Sequence, residues 1–222
     1  MRSLNQQSGL SLIELMVTLL LSTILLLGVM QLFINTSNSD RTSNELARVQ
    51  ETGRVVMELI AQEARRAGYQ GCVSTSSETE TNVSYQSPNA TVDIKFPANA
   101  INGTASSLVF SYARPNPSGA FKYRDCANNK LEPYQIIFSN CQANLCMRDP
   151  NTGASQQVAA NTNIQSIQYI QSCGANNCIK TATTADMGLV RQIQVTLAVT
   201  DSRGEFEQPR LFTSVIELRN RL

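Results

Sequence analysis

The chain of 222 residues contains no histidine and no tryptophan. Without histidine it lacks the commonest general base and the commonest metal ligand at neutral pH, which excludes Ser-His-Asp and Cys-His catalysis. Charge is also sparse. Eighteen Lys and Arg against 17 Asp and Glu leave a formal net charge of +1, so nothing global draws the chain to nucleic acid or anionic lipid. Asp125, Glu132, Asp149 and Asp186 are scattered, without the spacing of a paired-carboxylate site. Ser111, Ser139 and Ser172 have no base to activate them, and Gly68 and Gly71 fit a helix terminus better than a phosphate loop. The sequence does not read as an enzyme, and no cofactor or resident metal is expected. Asn, Gln, Ser and Thr dominate from Ser74 to Thr184, a composition that suits a β-rich, loop-rich domain outside the cytoplasm.

What is present begins at the N-terminus. Met1 to Gly9 are polar, with Arg2 and the terminal amine positive. Leu10 to Ile34 then form an apolar run with one charge, Glu14. As a helix this run is roughly 37 Å long, enough to cross a hydrocarbon core of about 30 Å. Positive charge before the span keeps the N-terminus cytoplasmic and exports the rest. The run is longer than the core of a signal peptide, and no A-x-A-like site follows it. A plain anchor does not explain Glu14, because a carboxylate in a span costs about 2.5–3.5 kcal/mol. A new α-amino group, made by cutting between Gly9 and Leu10, would be a partner for it.

The stretch Ser8-Gly9-Leu10-Ser11-Leu12-Ile13-Glu14-Leu15-Met16-Val17 closely resembles the type IV prepilin cleavage motif. The resemblance implies cleavage after Gly9 by the prepilin peptidase and N-methylation of Leu10. It also implies that Glu14 guides registry during assembly. Leu10 replaces the more common Phe, and Gln31 stands where major pilins usually carry Pro.

Six cysteines, Cys72, Cys126, Cys141, Cys146, Cys173 and Cys178, all follow the apolar run. In an exported domain they read as up to three disulfides. Local pairing of Cys141 with Cys146 and of Cys173 with Cys178 would leave Cys72 for Cys126. The two C-x4-C pairs also fall within zinc-ligand spacing, but export removes the reducing environment that keeps such thiols free.

After the polar stretch Asn35 to Asp40, the natural place for a bend, Leu46, Val49, Gly53, Val56, Ile60, Ala64 and Ala67 recur every three or four residues. No Pro interrupts Leu10 to Tyr69, so one long helix is expected. Its second half should pack on a globular domain and close at Gly68 and Gly71. Strands are expected at Val92–Phe96, Leu108–Tyr112, Tyr134–Phe138, Ile164–Ile170, Val190–Val199 and Leu211–Leu218, with turns at Arg114–Gly119 and Arg203–Gly204. In Val190–Val199, Ile193, Val195, Leu197 and Val199 alternate with polar residues. Helix first and antiparallel strands after is an α+β pattern, and it matches the type IV pilin fold. Neither an internal repeat nor a second globular domain is evident. The expected division is a leader at 1–9, a transmembrane and assembly half-helix at 10–34, an amphipathic half-helix at 35–71 and a disulfide-containing β-rich domain at 72–222.

Gln62-Glu63-Ala64-Arg65-Arg66-Ala67-Gly68-Tyr69-Gln70-Gly71-Cys72 resembles the helix end of PilW-type minor pilins. Val215-Ile216-Glu217-Leu218-Arg219-Asn220-Arg221 resembles an ending shared by that group and by J-type pseudopilins of type II secretion. The resemblance implies a minor pilin held in the inner membrane, its C-terminal domain periplasmic, that takes part in initiating a pilus and is then built into a surface fibre; the alternatives are a J-type minor pseudopilin of type II secretion and a tip adhesin or DNA-uptake pilin. Its implied partners are the prepilin peptidase, other minor pilins, the major pilin and membrane lipid. Arg114, Lys122, Tyr123 and Arg124 form a small basic-aromatic cluster that could touch DNA, but the plainer reading of it is a solvated loop.

Overall fold

Apolar side chains recurring at helical spacing and no internal Pro predict one long helix, and one long helix is found. The computed structural model describes residues 11–69, 81–87, 90–96, 100–116, 125–127, 129–150, 152–173, 176–181 and 184–219. Helix α1 spans Leu12–Arg66. It stays helical through 35–40, so the polar interruption does not break the helix. The chain divides into two compact units, Met1–Ala47 and Arg48–Leu222, and the boundary falls within α1.

In the first unit three exposed hydroxyl groups bond back to the helix's own carbonyls. Thr18 Oγ1 donates to the Leu15 carbonyl at 3.0 Å, Ser22 Oγ to Thr18 at 2.7 Å and Thr23 Oγ1 to Leu20 at 2.8 Å. Those bonds to the preceding turn satisfy polar groups that have no water partner in an apolar setting.

In the second unit α1 turns one face to the sheets. Val49, Val56, Ile60, Ala61, Ala64 and Ala67 are buried there, at positions that recur on one helix face. Strands follow as β1 (Thr81–Ser87), β2 (Ala90–Phe96), β3 (Ile101–Gly103), β4 (Ser107–Pro115), β5 (Leu131–Cys141), β6 (Asn144–Arg148), β7 (Ser155–Ala159), β8 (Thr162–Cys173), β9 (Asn176–Thr181), β10 (Val190–Val199) and β11 (Arg210–Glu217). All pairings are antiparallel. β1 and β2 form a separate hairpin, β3 to β7 a five-stranded meander, and β11-β10-β8-β9 a four-stranded sheet. The α+β reading holds, with two main sheets rather than one.

The core joins the helix to both sheets through Ile60, Phe110, Phe138, Ile167, Tyr169, Ile193 and Val195, among others. Ile193, Val195, Leu197 and Val199 are buried as their alternation requires. Gly53 lets α1 approach β11: a Cβ placed there would lie 2.6 Å from Cδ2 and Cε2 of Phe212. Between the sheets, the Asn140 carboxamide takes the place of a strand neighbour. Its Oδ1 accepts from Ile164 N at 2.7 Å, and its Nδ2 donates to the Ile164 carbonyl at 3.0 Å.

Every expected strand lies within or beside an observed one. β1, β3, β6, β7 and β9 were not expected. They are short return strands with little alternation: β7, for instance, is exposed over its first three residues.

Candidate processing and assembly site

The site starts where α1 starts. Leu15 N donates to the Ser11 carbonyl at 3.2 Å and closes the first helical turn. Glu14 lies in that turn, where the helix dipole favours a negative charge. Gly9 and Leu10, which the cleavage motif pairs with Glu14, lie outside the described residues. From Leu12 to Ile34 every large apolar side chain is exposed, and Glu14 is the one charged residue among them. A span of this length and hydropathy can cross a membrane. Each such side chain covered by lipid or by a neighbouring helix gains about 1.5–3 kcal/mol. The surface therefore drives insertion or bundling, while Glu14 penalises any arrangement that leaves it unpaired.

At its other end α1 is fastened to the sheet by the segment that resembles the minor-pilin helix end. Glu63 is buried. Its Oε2 accepts from the Tyr112 hydroxyl at 2.6 Å, and its Oε1 accepts from Arg66 Nη1 at 3.1 Å. Burial, reinforced by the bond to Glu63, pushes the Tyr112 phenol well above its ordinary pKa. Gly68 adopts φ 82°, the left-handed conformation that ends helices at little cost in glycine. Gly68 N then donates to the Ser111 carbonyl at 2.9 Å, and the Tyr69 carbonyl accepts from Ala113 N at 2.7 Å. The chain leaving the helix thus pairs with β4. Gly71, the other expected helix stop, lies outside the described residues. Sequence reasoning missed Glu63 and Tyr112 as a pair because 49 positions separate them.

Alongside, Tyr134 packs on Tyr112 with ring centroids 5.4 Å apart, and the Arg114 guanidinium sits 3.9 Å over the Tyr134 ring. Arg114 Nε also donates to Glu132 at 2.6 Å, and Asn116 Nδ2 donates to the same carboxylate. Arg114 is therefore paired within the fold, with its side chain still 41% exposed. Lys122, Tyr123 and Arg124 lie outside the described residues. Of the scattered carboxylates, Asp125 accepts from the backbone of Ala127 and Asn129, and the side chain of Asp186 lies outside the described residues. Ser111 Oγ accepts from Gln135.

Cys141 and Cys146 form a disulfide with Cα atoms 5.8 Å apart. This removes two of the four ligands of the zinc alternative. The bond crosses the β5–β6 hairpin, where Cys141 faces Asn144 and Ser139 faces Cys146. Cys126 is also disulfide-bonded. Cys72 and the side chains of Cys173 and Cys178 lie outside the described residues.

Residues 42–216 match the family described as prepilin peptidase-dependent protein B, and residues 4–30 match the prokaryotic N-terminal methylation motif. No curated protein matches the chain. Together the two matches take in most of α1 and nearly all of the globular unit, and both are of structural, pilin-type proteins rather than enzymes. An exposed apolar helix entered through a single glutamate, and fastened by its far end to antiparallel sheets, places this chain in the prepilin peptidase-dependent protein B family as a membrane-anchored, type IV pilin-like protein.

Proposed function

We propose that the chain is a minor pilin that takes part in initiating type IV pilus assembly and is incorporated in the fibre or at its tip. Prepilin peptidase cuts it after Gly9, and Leu10 becomes the methylated N-terminus. Before assembly the helix lies in inner-membrane lipid, with the N-terminus cytoplasmic and the globular unit periplasmic. During assembly its partners are other minor pilins and the major pilin. The observation that carries this reading is Glu14, the one charge between Leu12 and Ile34, where every large apolar side chain is exposed. A neighbouring α-amino group offsets the cost of that carboxylate only in the correct register, so the pair acts as a register check. Replacing Glu14→Ala should leave processing intact on a blot and reduce piliation. Normal piliation would overturn the pairing argument, and an uncut product would overturn the assignment of Glu14 to assembly rather than to cleavage.

We also infer the remaining disulfides. Cys141-Gln142-Ala143-Asn144-Leu145-Cys146 and Cys173-Gly174-Ala175-Asn176-Asn177-Cys178 share the pattern C-x-A-N-x-C. Their hairpins share a register too: Cys141 faces Asn144, and Cys173 faces Asn176. In each the second cysteine lies two positions beyond the asparagine, on the same face of the strand. A register that brings one pair to bonding distance does the same for the other, so Cys173 pairs with Cys178. Cys126 is then left with Cys72, which ties the chain just beyond α1 to the turn at 125–129.

A further inference from the structure

We propose that Asn102 and Gly103 form a self-modification site, at which the folded protein converts Asn102 through a succinimide to aspartate or isoaspartate. This is the single Asn-Gly pair in the sequence, and glycine is the residue that least obstructs attack by its own backbone nitrogen. The fold adds geometry. Asn102 is exposed on β3, the three-residue edge strand of the meander. Gly103 N lies 2.7 Å from Asn102 Oδ1. A carbonyl bond is about 1.2 Å, so Cγ is within about 4 Å of that nitrogen, close to the distance of a near-attack arrangement. The last torsion of an asparagine side chain is soft, and rotation about it turns the face of Cγ toward the nitrogen.

The glycine is also required by the fold. Gly103 has φ 152°, and a Cβ there would collide with the Ser107 carbonyl oxygen and approach the Tyr169 hydroxyl to 2.6 Å. No other side chain fits, so the reactive pair cannot be blunted at this position.

The step balances with water alone. Hydroxide takes the Gly103 amide proton, and the nitrogen attacks Cγ of Asn102. The bond from Cγ to the side-chain nitrogen breaks, and ammonia leaves with a proton returned by solvent. Water then opens the ring at either carbonyl. One opening leaves an ordinary aspartate at position 102. The other inserts a methylene into the main chain. That insertion falls between Ile101, which is fully buried, and Gly103, which is wedged against β4. The three β3 pairs, Ile101 with Phe110, Asn102 with Val109 and Gly103 with Leu108, should then loosen.

The inference rests on the fold and is independent of the pilin-type function. Its test is incubation of the full-length protein in mildly alkaline buffer, followed by peptide mass mapping under conditions that separate aspartate from isoaspartate. A synthetic peptide spanning residues 99–107 is incubated beside it. The expected result is a mass shift confined to the peptide carrying Asn102, at a rate at least equal to that of the synthetic peptide. The shift should be absent in Asn102→Gln protein. Slower conversion in the folded protein than in the peptide would overturn the proposal, because the fold would then protect the site. Earlier conversion at any other asparagine would overturn it equally.

Discussion

Replacing Gly53 with alanine sets two effects of known sign against each other. Gly→Ala inside a helix stabilises by about 1 kcal/mol through propensity. At Gly53, however, the new methyl would meet Phe212 at 2.6 Å from Cδ2 and Cε2 and 2.7 Å from Cγ. Favourable carbon–carbon contact begins near about 3.5 Å, so the ring must retreat by roughly 1 Å. Turning the ring does not help, because Cγ at its root is also too close. The whole side chain must swing away from a partly buried position beside the core. Overpacking of this kind costs about 1–3 kcal/mol, so Gly53→Ala should be net destabilising by about 1 kcal/mol. For a chain of this size that lowers the melting temperature by about 2–4 °C. Thermal unfolding of the processed protein in detergent measures it. The decisive comparison uses the Phe212→Ala background, where the ring is gone and the propensity gain remains. There Gly53→Ala should raise the melting temperature. The same sign in both backgrounds would refute the close approach of helix and strand.

Two further predictions follow from the buried phenols and the cysteines. Burial raises the Tyr112 and Tyr169 phenols above their unfolded value of about 10. Below that pH both states keep these protons, and the stability they allow is complete. Above it the unfolded chain releases protons that the folded one retains, so stability falls as pH rises. Melting temperatures should drop above about pH 10, and Tyr169→Phe should shrink the drop; an unchanged alkaline slope in that variant would count against it. Non-reducing peptide mapping should recover Cys173 linked to Cys178 and Cys72 linked to Cys126, while a peptide joining Cys126 to Cys173 or Cys178 would sink the repeat argument.

The helix and its two ends were legible because their signals are local. Val49, Gly53, Val56 and Ile60 advertise a buried stripe by spacing alone, and the residues around Gly9 to Glu14 form a contiguous motif. β10 was equally readable, since its alternation runs the length of the strand. β7 and β9 were not, because a return strand held by its neighbours needs no apolar pattern of its own. The repeated C-x-A-N-x-C hexapeptide was present in the sequence, but six residues carry little weight until two hairpins are seen to share a register.

The sequence by itself determined that this chain has an apolar helix with one carboxylate, an amphipathic continuation and a strand-rich remainder, because periodicity and composition act within a few turns of backbone. Only the tertiary structure decided that Glu63 is secured by Tyr112, that Gly53 admits Phe212, that Asn140 bridges two sheets and that Arg114 is paired with Glu132 and Tyr134. These are contacts between residues far apart in the chain. Their energy depends on burial and on angles that exist only after the sheets have closed over the helix.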